Sequence, residues 1–77
     1  MAMQPKPPLP KALSKFKEGL ALHQQGKLSQ AQALYQAAHQ LDPAFADAVH
    51  HLGIIALQTN RLADSIKLIQ QALALDP

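Results

Sequence analysis

The sequence contains no cysteine, no tryptophan and no long run of apolar residues. Without cysteine the chain can form neither a disulfide bond nor a thiolate metal site, and this composition fits a reducing compartment. A membrane-spanning helix needs about 20 consecutive apolar residues, and no stretch approaches that length. The opening MAMQPKPPLP also lacks the apolar segment of a signal peptide. The sequence therefore predicts a cytoplasmic protein without a membrane partner.

Charged and aromatic side chains are also scarce. Seven lysines and arginines stand against five aspartates and glutamates, giving a formal net charge of +2, and the only aromatic residues are Phe16, Tyr35 and Phe45. Nucleic-acid-binding proteins show denser basic stripes or aromatic platforms on which bases stack. We therefore expect no nucleic-acid partner.

What the chain does contain is a large share of Ala, Leu, Gln and Lys, which are good helix formers, and few β-branched residues. Seventy-seven residues make at most one small domain, which buries only roughly 60% of its unfolded surface. The composition predicts an all-α fold of modest stability.

The chain repeats itself with an offset of 34 residues. When residues 12–43 are aligned with residues 46–77, ten positions are identical without a gap. The first member of each identical pair is Ala12, Gly19, Gln24, Leu28, Leu34, Gln36, Ala38, Leu41, Asp42 or Pro43. A period of about 20–50 residues is typical of helical repeat proteins. We therefore divide the chain into a leader at 1–10 and two repeats at 11–43 and 44–77.

Each repeat reads as a pair of helices. Apolar spacing of i, i+3, i+4 and i+7 predicts helices over residues 11–25 and 29–41, then 44–59 and 62–75. Gly26 and Asn60 suit left-handed turns between paired helices, Ser29 and Gln32 match a capping box, and Asp42 and Pro43 suit the start of the third helix.

Two features fall outside the regular helix pattern. Gly19 and Gly53 stand in the middle of predicted helices, which indicates close approach of a neighbouring helix. The leader carries four prolines and is expected to be extended, because proline removes backbone donors and fixes φ. It is either a flexible tail or a segment that lies in a groove or docks on another domain through Pro7-Pro8-Leu9-Pro10, which matches P-x-x-P.

The two repeats resemble the tetratricopeptide repeat, a helix-turn-helix unit with glycine, a small residue, an aromatic, alanine and proline at set places. Those places hold Gly19, Ala31, Tyr35, Ala38 and Pro43, and then Gly53, Ser65, Ile69, Ala72 and Pro77. The resemblance covers residues 12–77, and it departs from the family pattern at Ile69, where an aromatic is usual. It implies antiparallel helix pairs in a right-handed superhelix that binds proteins or peptides and carries no catalytic residues or cofactor.

Within that family, the stretches ALHQQGKLSQAQALYQ and DAVHHLGIIALQ are similar to N-terminal repeats of bacterial proteins with a downstream glycosyltransferase domain of the protein O-GlcNAc-transferase type. That similarity implies an alternative function, in which the repeats present an acceptor to a catalytic domain.

In the family, partners lie on the concave surface made by the first helix of each repeat. Carried over to this chain, the concave positions are Leu13, Phe16, Leu20, His23, Gln24, Asp47, His50, Ile54, Leu57 and Gln58. For Phe16, Leu20 and Ile54, helix packing is an equally good interpretation.

Two binding devices of the family are missing from this sequence. The basic and asparagine residues that clamp a terminal carboxylate are replaced by apolar side chains and His51. Lys17 and His51 stand where an asparagine ladder would grip a peptide backbone. The four histidines match no metal-binding spacing, so we expect no metal and interpret them as surface residues.

The last helix carries an apolar stripe on a side that its own hairpin does not use. The stripe consists of Leu62, Ile66 and Leu73, whereas the second and third places in the first repeat hold Gln32 and His39. Terminal repeats usually carry a polar outer face. The stripe therefore predicts either further repeats or self-association into a homo-oligomer.

Overall fold

The computed structural model describes residues 7–77, which form four α-helices. They are α1 (Pro10–Gln24), α2 (Leu28–Leu41), α3 (Ala46–Gln58) and α4 (Leu62–Leu75). Short turns fold α1 back on α2 and α3 back on α4, and α2 packs against α3. The described part of the chain contains no strand, so the predicted all-α fold of two helical hairpins is confirmed.

The turn inside each hairpin has the geometry that the sequence predicts. Gly26 and Asn60 have φ angles of 78° and 63°, in the left-handed region. The next residue in each turn donates a backbone hydrogen bond back into the helix, Lys27 to Leu22 at 2.9 Å and Arg61 to Ala56 at 2.7 Å. Together with the bond from each turn residue itself, this is a Schellman motif, which satisfies the last carbonyls of α1 and α3.

The predicted capping box at Ser29 and Gln32 is wrong. Helix α2 begins at Leu28, Lys27 is its N-cap residue, and no side chain caps it. The Schellman turn delivers the chain directly into the helix, where the Lys27 carbonyl accepts the first bond from the Ala31 amide at 3.0 Å. Ser29 therefore lies inside the helix, where its hydroxyl cannot act as the cap.

The predicted start of α3 at Asp42 and Pro43 is also wrong, since α3 begins at Ala46. Asp42 instead accepts hydrogen bonds from two backbone amides, that of Ala44 at 3.2 Å and that of Leu9 at 3.0 Å. The turn it stabilises places Phe45 in the core, with its ring centroid 5.0 Å from that of Phe16. Because Phe45 is buried in this turn, helix α3 begins only at the next residue, Ala46.

The core joins the two hairpins through small and aromatic side chains. Its members are Ala12, Phe16, Ala31, Tyr35, Ala38, Phe45, Ala48, Leu52 and Ile55. The two mid-helix glycines lie where each hairpin is tightest. A Cβ atom on Gly19 would come within 2.6 Å of the Tyr35 ring, and one on Gly53 within 2.9 Å of Ile69. The predicted close approach at both glycines is confirmed.

Candidate functional site

The predicted concave positions divide between surface and core. Three are half-buried and apolar, Leu13, Leu20 and Ile54, while Leu57 is 55% exposed. The polar positions are half-buried or exposed, namely His23, Gln24, Asp47, His50 and Gln58. Only Phe16 among the ten is buried. Nine of the ten predicted positions are therefore at least partly accessible to solvent.

Phe16 is a packing residue in this structure. Its ring lies 5.5 Å from that of Tyr35 and 5.0 Å from that of His51, measured between centroids, in addition to its contact with Phe45. Tilted and edge-to-face aromatic pairs at such distances stabilise a core beyond the area they bury. Phe16 thus supports the surface from beneath, and the packing interpretation applies to it.

His23 links the two hairpins. Its Nε2 lies 2.7 Å from Oε1 of Gln58 in α3, and its Nδ1 lies 3.0 Å from the Tyr35 hydroxyl in α2. An amide oxygen can only accept, so in the neutral ring Nε2 donates to Gln58 and Nδ1 accepts from the Tyr35 hydroxyl. One imidazole of α1 therefore forms hydrogen bonds to side chains of two other helices.

The Tyr35 hydroxyl is held in its protonated form. The Tyr35 side chain is fully buried, and burial raises the pKa of the phenol above its ordinary value of 10.0, because a phenolate would lose its hydration. The hydroxyl therefore remains a donor to His23 at neutral pH. The sequence predicts His23 and Gln58 on the surface but does not predict the hydrogen bond between them, since that bond depends on how the two hairpins stack.

His51 is a half-buried residue that the predicted site omitted. Its Nδ1 donates to the Asp47 carbonyl at 2.8 Å, and its ring packs against Phe16 and Tyr35, with the Tyr35 centroid 5.4 Å away. In the neutral ring Nε2 is then left as an acceptor. The interpretation of His51 as a surface histidine is incomplete, because its ring belongs to an aromatic cluster with Phe16, Tyr35 and Phe45. No local sequence signal marks this role, because Phe16 and Tyr35 belong to the other hairpin.

The surface carries little charge and offers no metal site. Exposed Asp47 and Lys17 are of opposite sign. In residues 7–77, no three His, Cys, Asp or Glu side chains are grouped so as to hold a metal ion. The arrangement is suited to contacts with apolar and neutral polar groups.

An open cleft of about 580 Å³ lies at the end of the hairpins, beside the leader. Its walls include Pro7, Pro8 and Leu9 on one side and Phe45 and Leu75 on the other. Leu9 has φ and ψ of −59° and 142°, a polyproline II conformation. The rest of the proline-rich leader, residues 1–6, lies outside the described residues, and its role stays a prediction.

The sequence matches a family model and is similar to a curated protein. The family model described as tetratricopeptide repeat matches residues 16–77. A peroxisomal targeting signal receptor of Kluyveromyces lactis is 38% identical over 63 residues, which is 80% of this chain. The chain spans only 11% of that receptor's length. Between residues 7 and 77, no helix is long and apolar enough to cross a membrane.

Proposed function

The chain belongs to the tetratricopeptide repeat family, and we propose that the surface of α1 and α3 binds an apolar peptide segment of a protein partner. The family predicted from the sequence is confirmed, as is the interpretation as a protein-interaction module. The repeats form a protein-interaction fold rather than a catalytic one.

The observation that carries the proposal is the row of solvent-accessible apolar side chains on α3. Leu57 is 55% exposed and Ile54 is half-buried one turn before it. A contiguous exposed apolar patch marks an interaction site, whereas a single exposed leucine does not, and we propose that Leu57 and Ile54 form such a patch with the half-buried Leu13 and Leu20 of α1. The bond between His23 and Gln58 fixes the spacing of α1 and α3 before any partner arrives, which lowers the entropic cost of binding.

The kind of partner follows from the low charge of the surface. The family's ladder places hold Lys17 and His51, and its clamp places hold mainly apolar side chains. Affinity would therefore come from burying the partner's apolar side chains rather than from gripping its backbone or terminal carboxylate. The relative in Kluyveromyces lactis is named as a receptor for a targeting signal. Recognition of a short segment in another protein is accordingly the task that we propose here.

Peptide selection tests the proposal. Twelve-residue peptides selected from a random display library against the intact chain would be titrated by fluorescence anisotropy against the wild type, Leu57→Lys and Ile66→Lys. We expect Leu57→Lys to weaken binding at least about tenfold, as for a residue at the centre of an interface. Ile66→Lys is the matched control on α4 and should leave affinity unchanged.

The opposite pattern, in which Ile66→Lys abolishes binding and Leu57→Lys does not, would contradict the proposal. A C-terminally amidated copy of each peptide should bind as well as the free acid, because the surface lacks a carboxylate clamp.

The alternative function as an acceptor-presenting module of a glycosyltransferase and the cytoplasmic location both stay predictions. Sequencing of the parent gene would check the first, and cell fractionation would check the second.

A further inference from the structure

Helix α4 carries an apolar stripe, Leu62, Ile66 and Leu73, on a side that its own hairpin does not use. Leu62 is 53% exposed, and Ile66 and Leu73 are each 59% exposed. On the other side of α4, Ser65 is buried and its hydroxyl donates to the Gly53 carbonyl of α3 at 2.9 Å. The stripe is therefore separate from the contact that closes the second hairpin.

The first hairpin shows what the corresponding face of α2 contacts. The residues of α2 that correspond to the stripe are Leu28, Gln32 and His39, and all three are half-buried. Helix α2 packs against α3, and Gln32 lines a cleft with Leu52 and Ala56 of α3. His39 lies two helical turns after Gln32 and so belongs to the same face. In the first repeat, therefore, this face is covered by the helix that follows in the chain.

The backbone leaves α4 in the same direction as it leaves α2. Asp42 has φ and ψ of −142° and 89°, and Asp76 has −144° and 82°. The Asp42 amide donates to the Ala38 carbonyl at 2.9 Å, and the Asp76 amide donates to the Ala72 carbonyl at 3.0 Å. After Asp42 this path leads to α3, which lies against α2. The same exit at Asp76 directs polypeptide that follows Pro77 toward the stripe.

The helix that covers α2 has a defined packing pattern. Four buried residues follow the spacing i, i+3, i+4 and i+7, namely Phe45, Ala48, Val49 and Leu52. All but Val49 belong to the core shared with the first hairpin. The corresponding residues of α1 are exposed and mostly charged, namely Lys11, Ser14, Lys15 and Glu18. The α3 pattern therefore suits burial against an apolar face, whereas the α1 pattern would bury unpaired charges.

The stripe is better suited to such a helix than the face of α2 is. In α2, Gln32 accepts a hydrogen bond from Nη2 of Arg61 at 3.1 Å. Nδ1 of His39 is buried and has no hydrogen-bond partner within residues 7–77, and a buried polar atom without a partner costs stability. Ile66 and Leu73 stand in these two places on α4. They remove that cost and add apolar area that can be buried.

We propose that the α4 stripe is the docking surface for one further helix with the α3 pattern, supplied by polypeptide that continues from Pro77. This helix carries an aromatic residue, a small residue and two apolar residues at i, i+3, i+4 and i+7, as α3 does with the turn before it. Because Ile66 cannot accept the hydrogen bond that Gln32 accepts from Arg61, the residue in the place of Arg61 is uncharged.

Extending the chain tests the docking. A copy of residues 44–61 that carries Arg61→Leu is added directly after Pro77, in the register in which α3 follows Pro43. We expect the midpoint of thermal unfolding to rise by at least about 5 °C, because the added helix buries the stripe. The matched control extension carries the α1 residues on its packing face, Phe45→Lys, Ala48→Ser, Val49→Lys and Leu52→Glu. It should leave the midpoint within about 1 °C of that of the unextended chain.

Two further measurements identify the surface and the occupant. The double variant Ile66→Lys and Leu73→Lys should gain nothing from the extension. An equal gain from both extensions, or a gain that survives the double variant, overturns the proposal. The extended chain should stay monomeric in sedimentation equilibrium up to about 1 mM. Association that persists in the extended chain and stops in Ile66→Lys would identify a second copy as the occupant and also overturn the proposal.

The parent gene gives an independent test. Its codons should specify an aromatic residue at the second place after Pro77. A small residue should follow three places after that aromatic, and apolar residues should follow four and seven places after it. A stop codon directly after Pro77, or charged residues at these places, overturns the proposal.

Discussion

The two hairpins share one backbone design and differ in what surrounds it. In each, a mid-helix glycine receives a large side chain from the partner helix, Tyr35 over Gly19 and Ile69 over Gly53. Tyr35 is fully buried because α3 and the aromatic cluster cover it, whereas Ile69 is half-buried because no helix lies beyond α4 in the described chain. Equivalent positions of the two repeats thus share one backbone geometry but should contribute unequally to the free energy of unfolding.

Truncating the two large side chains should give the largest difference between the hairpins. We expect Tyr35→Ala to lower the free energy of unfolding by about 3–5 kcal/mol, since it removes a fully buried ring and leaves a cavity. Ile69→Ala should cost only about 1–2 kcal/mol, because the isoleucine is already partly in water. Urea denaturation followed by circular dichroism measures both. Equal losses would show that the hairpins are equally packed.

Adding a methyl group at each mid-helix glycine tests the same difference in packing between the two hairpins. Gly19→Ala places its Cβ against two atoms of the Tyr35 ring, at 2.6 and 2.8 Å, and that ring is fixed by packing on all sides. We expect a net loss of about 1–2 kcal/mol, which is the overpacking cost less the gain in helix propensity.

Gly53→Ala is the matched variant in the second hairpin. Its Cβ meets Ile69 Cγ1 at 2.9 Å, and because this atom is held by the strong χ1 preference of a helical isoleucine, relief needs a small shift of α4, which is easier here because Ile69 is only half-buried. The overpacking cost should exceed the gain in helix propensity by less than at Gly19, leaving a loss of about 0.5–1 kcal/mol. Thermal unfolding measures the loss of stability in both variants. A larger loss at Gly53 than at Gly19 would mean that the second hairpin is the more tightly packed of the two.

The sequence predicts this backbone design well, because its signals are local. Helical spacing, the left-handed turns at Gly26 and Asn60 and the purpose of the glycines all follow from residues within one hairpin. It predicts the starts of α2 and α3 poorly. Those depend on a Schellman turn that leads directly into α2 and on the burial of Phe45 against Phe16, a contact between hairpins.

The candidate site shows the same difference between what can be predicted from the sequence and what cannot. The positions on α1 and α3 follow from the family resemblance, with which helical spacing agrees, and their role in binding stays a prediction. The His23 bonds to Tyr35 and Gln58 join residues 12 and 35 positions apart. The bond to Gln58 depends on the stacking of the two hairpins, and the bond to Tyr35 depends on how α1 packs on α2. The spacing of apolar residues within one repeat encodes neither.

The hydroxyl of Tyr35 offers a third, smaller test. Tyr35→Phe keeps the ring and removes the bond to His23, so we expect a loss of about 1 kcal/mol at neutral pH. Because the folded pKa of the phenol is raised, its protonated form contributes stability below pH 10.0, and this contribution is lost as the pH rises through the folded pKa.

Tyr35 is the only tyrosine and the chain has no tryptophan, so ultraviolet absorbance of the phenolate follows this group directly. Its titration should lie above that of the urea-unfolded chain, and the alkaline loss of stability specific to the phenol should be missing in Tyr35→Phe. Coincident titrations of the folded and unfolded chains would mean that the phenol is open to water.

The turns should give small effects, and they share one backbone requirement. Gly26 and Asn60 both hold a positive φ, which glycine adopts without strain and asparagine with little. Asn60→Gly should therefore change the free energy of unfolding by only a few tenths of a kcal/mol, whereas Gly26→Ala should cost about 1 kcal/mol because alanine resists this conformation. Chemical denaturation measures both, with Ser29→Ala inside α2 as a control. Nothing lies within 4 Å of a Cβ built on Gly26, so any loss there is conformational. The two turns are thus equal in their backbone requirement, and the difference between the hairpins arises from what packs against them.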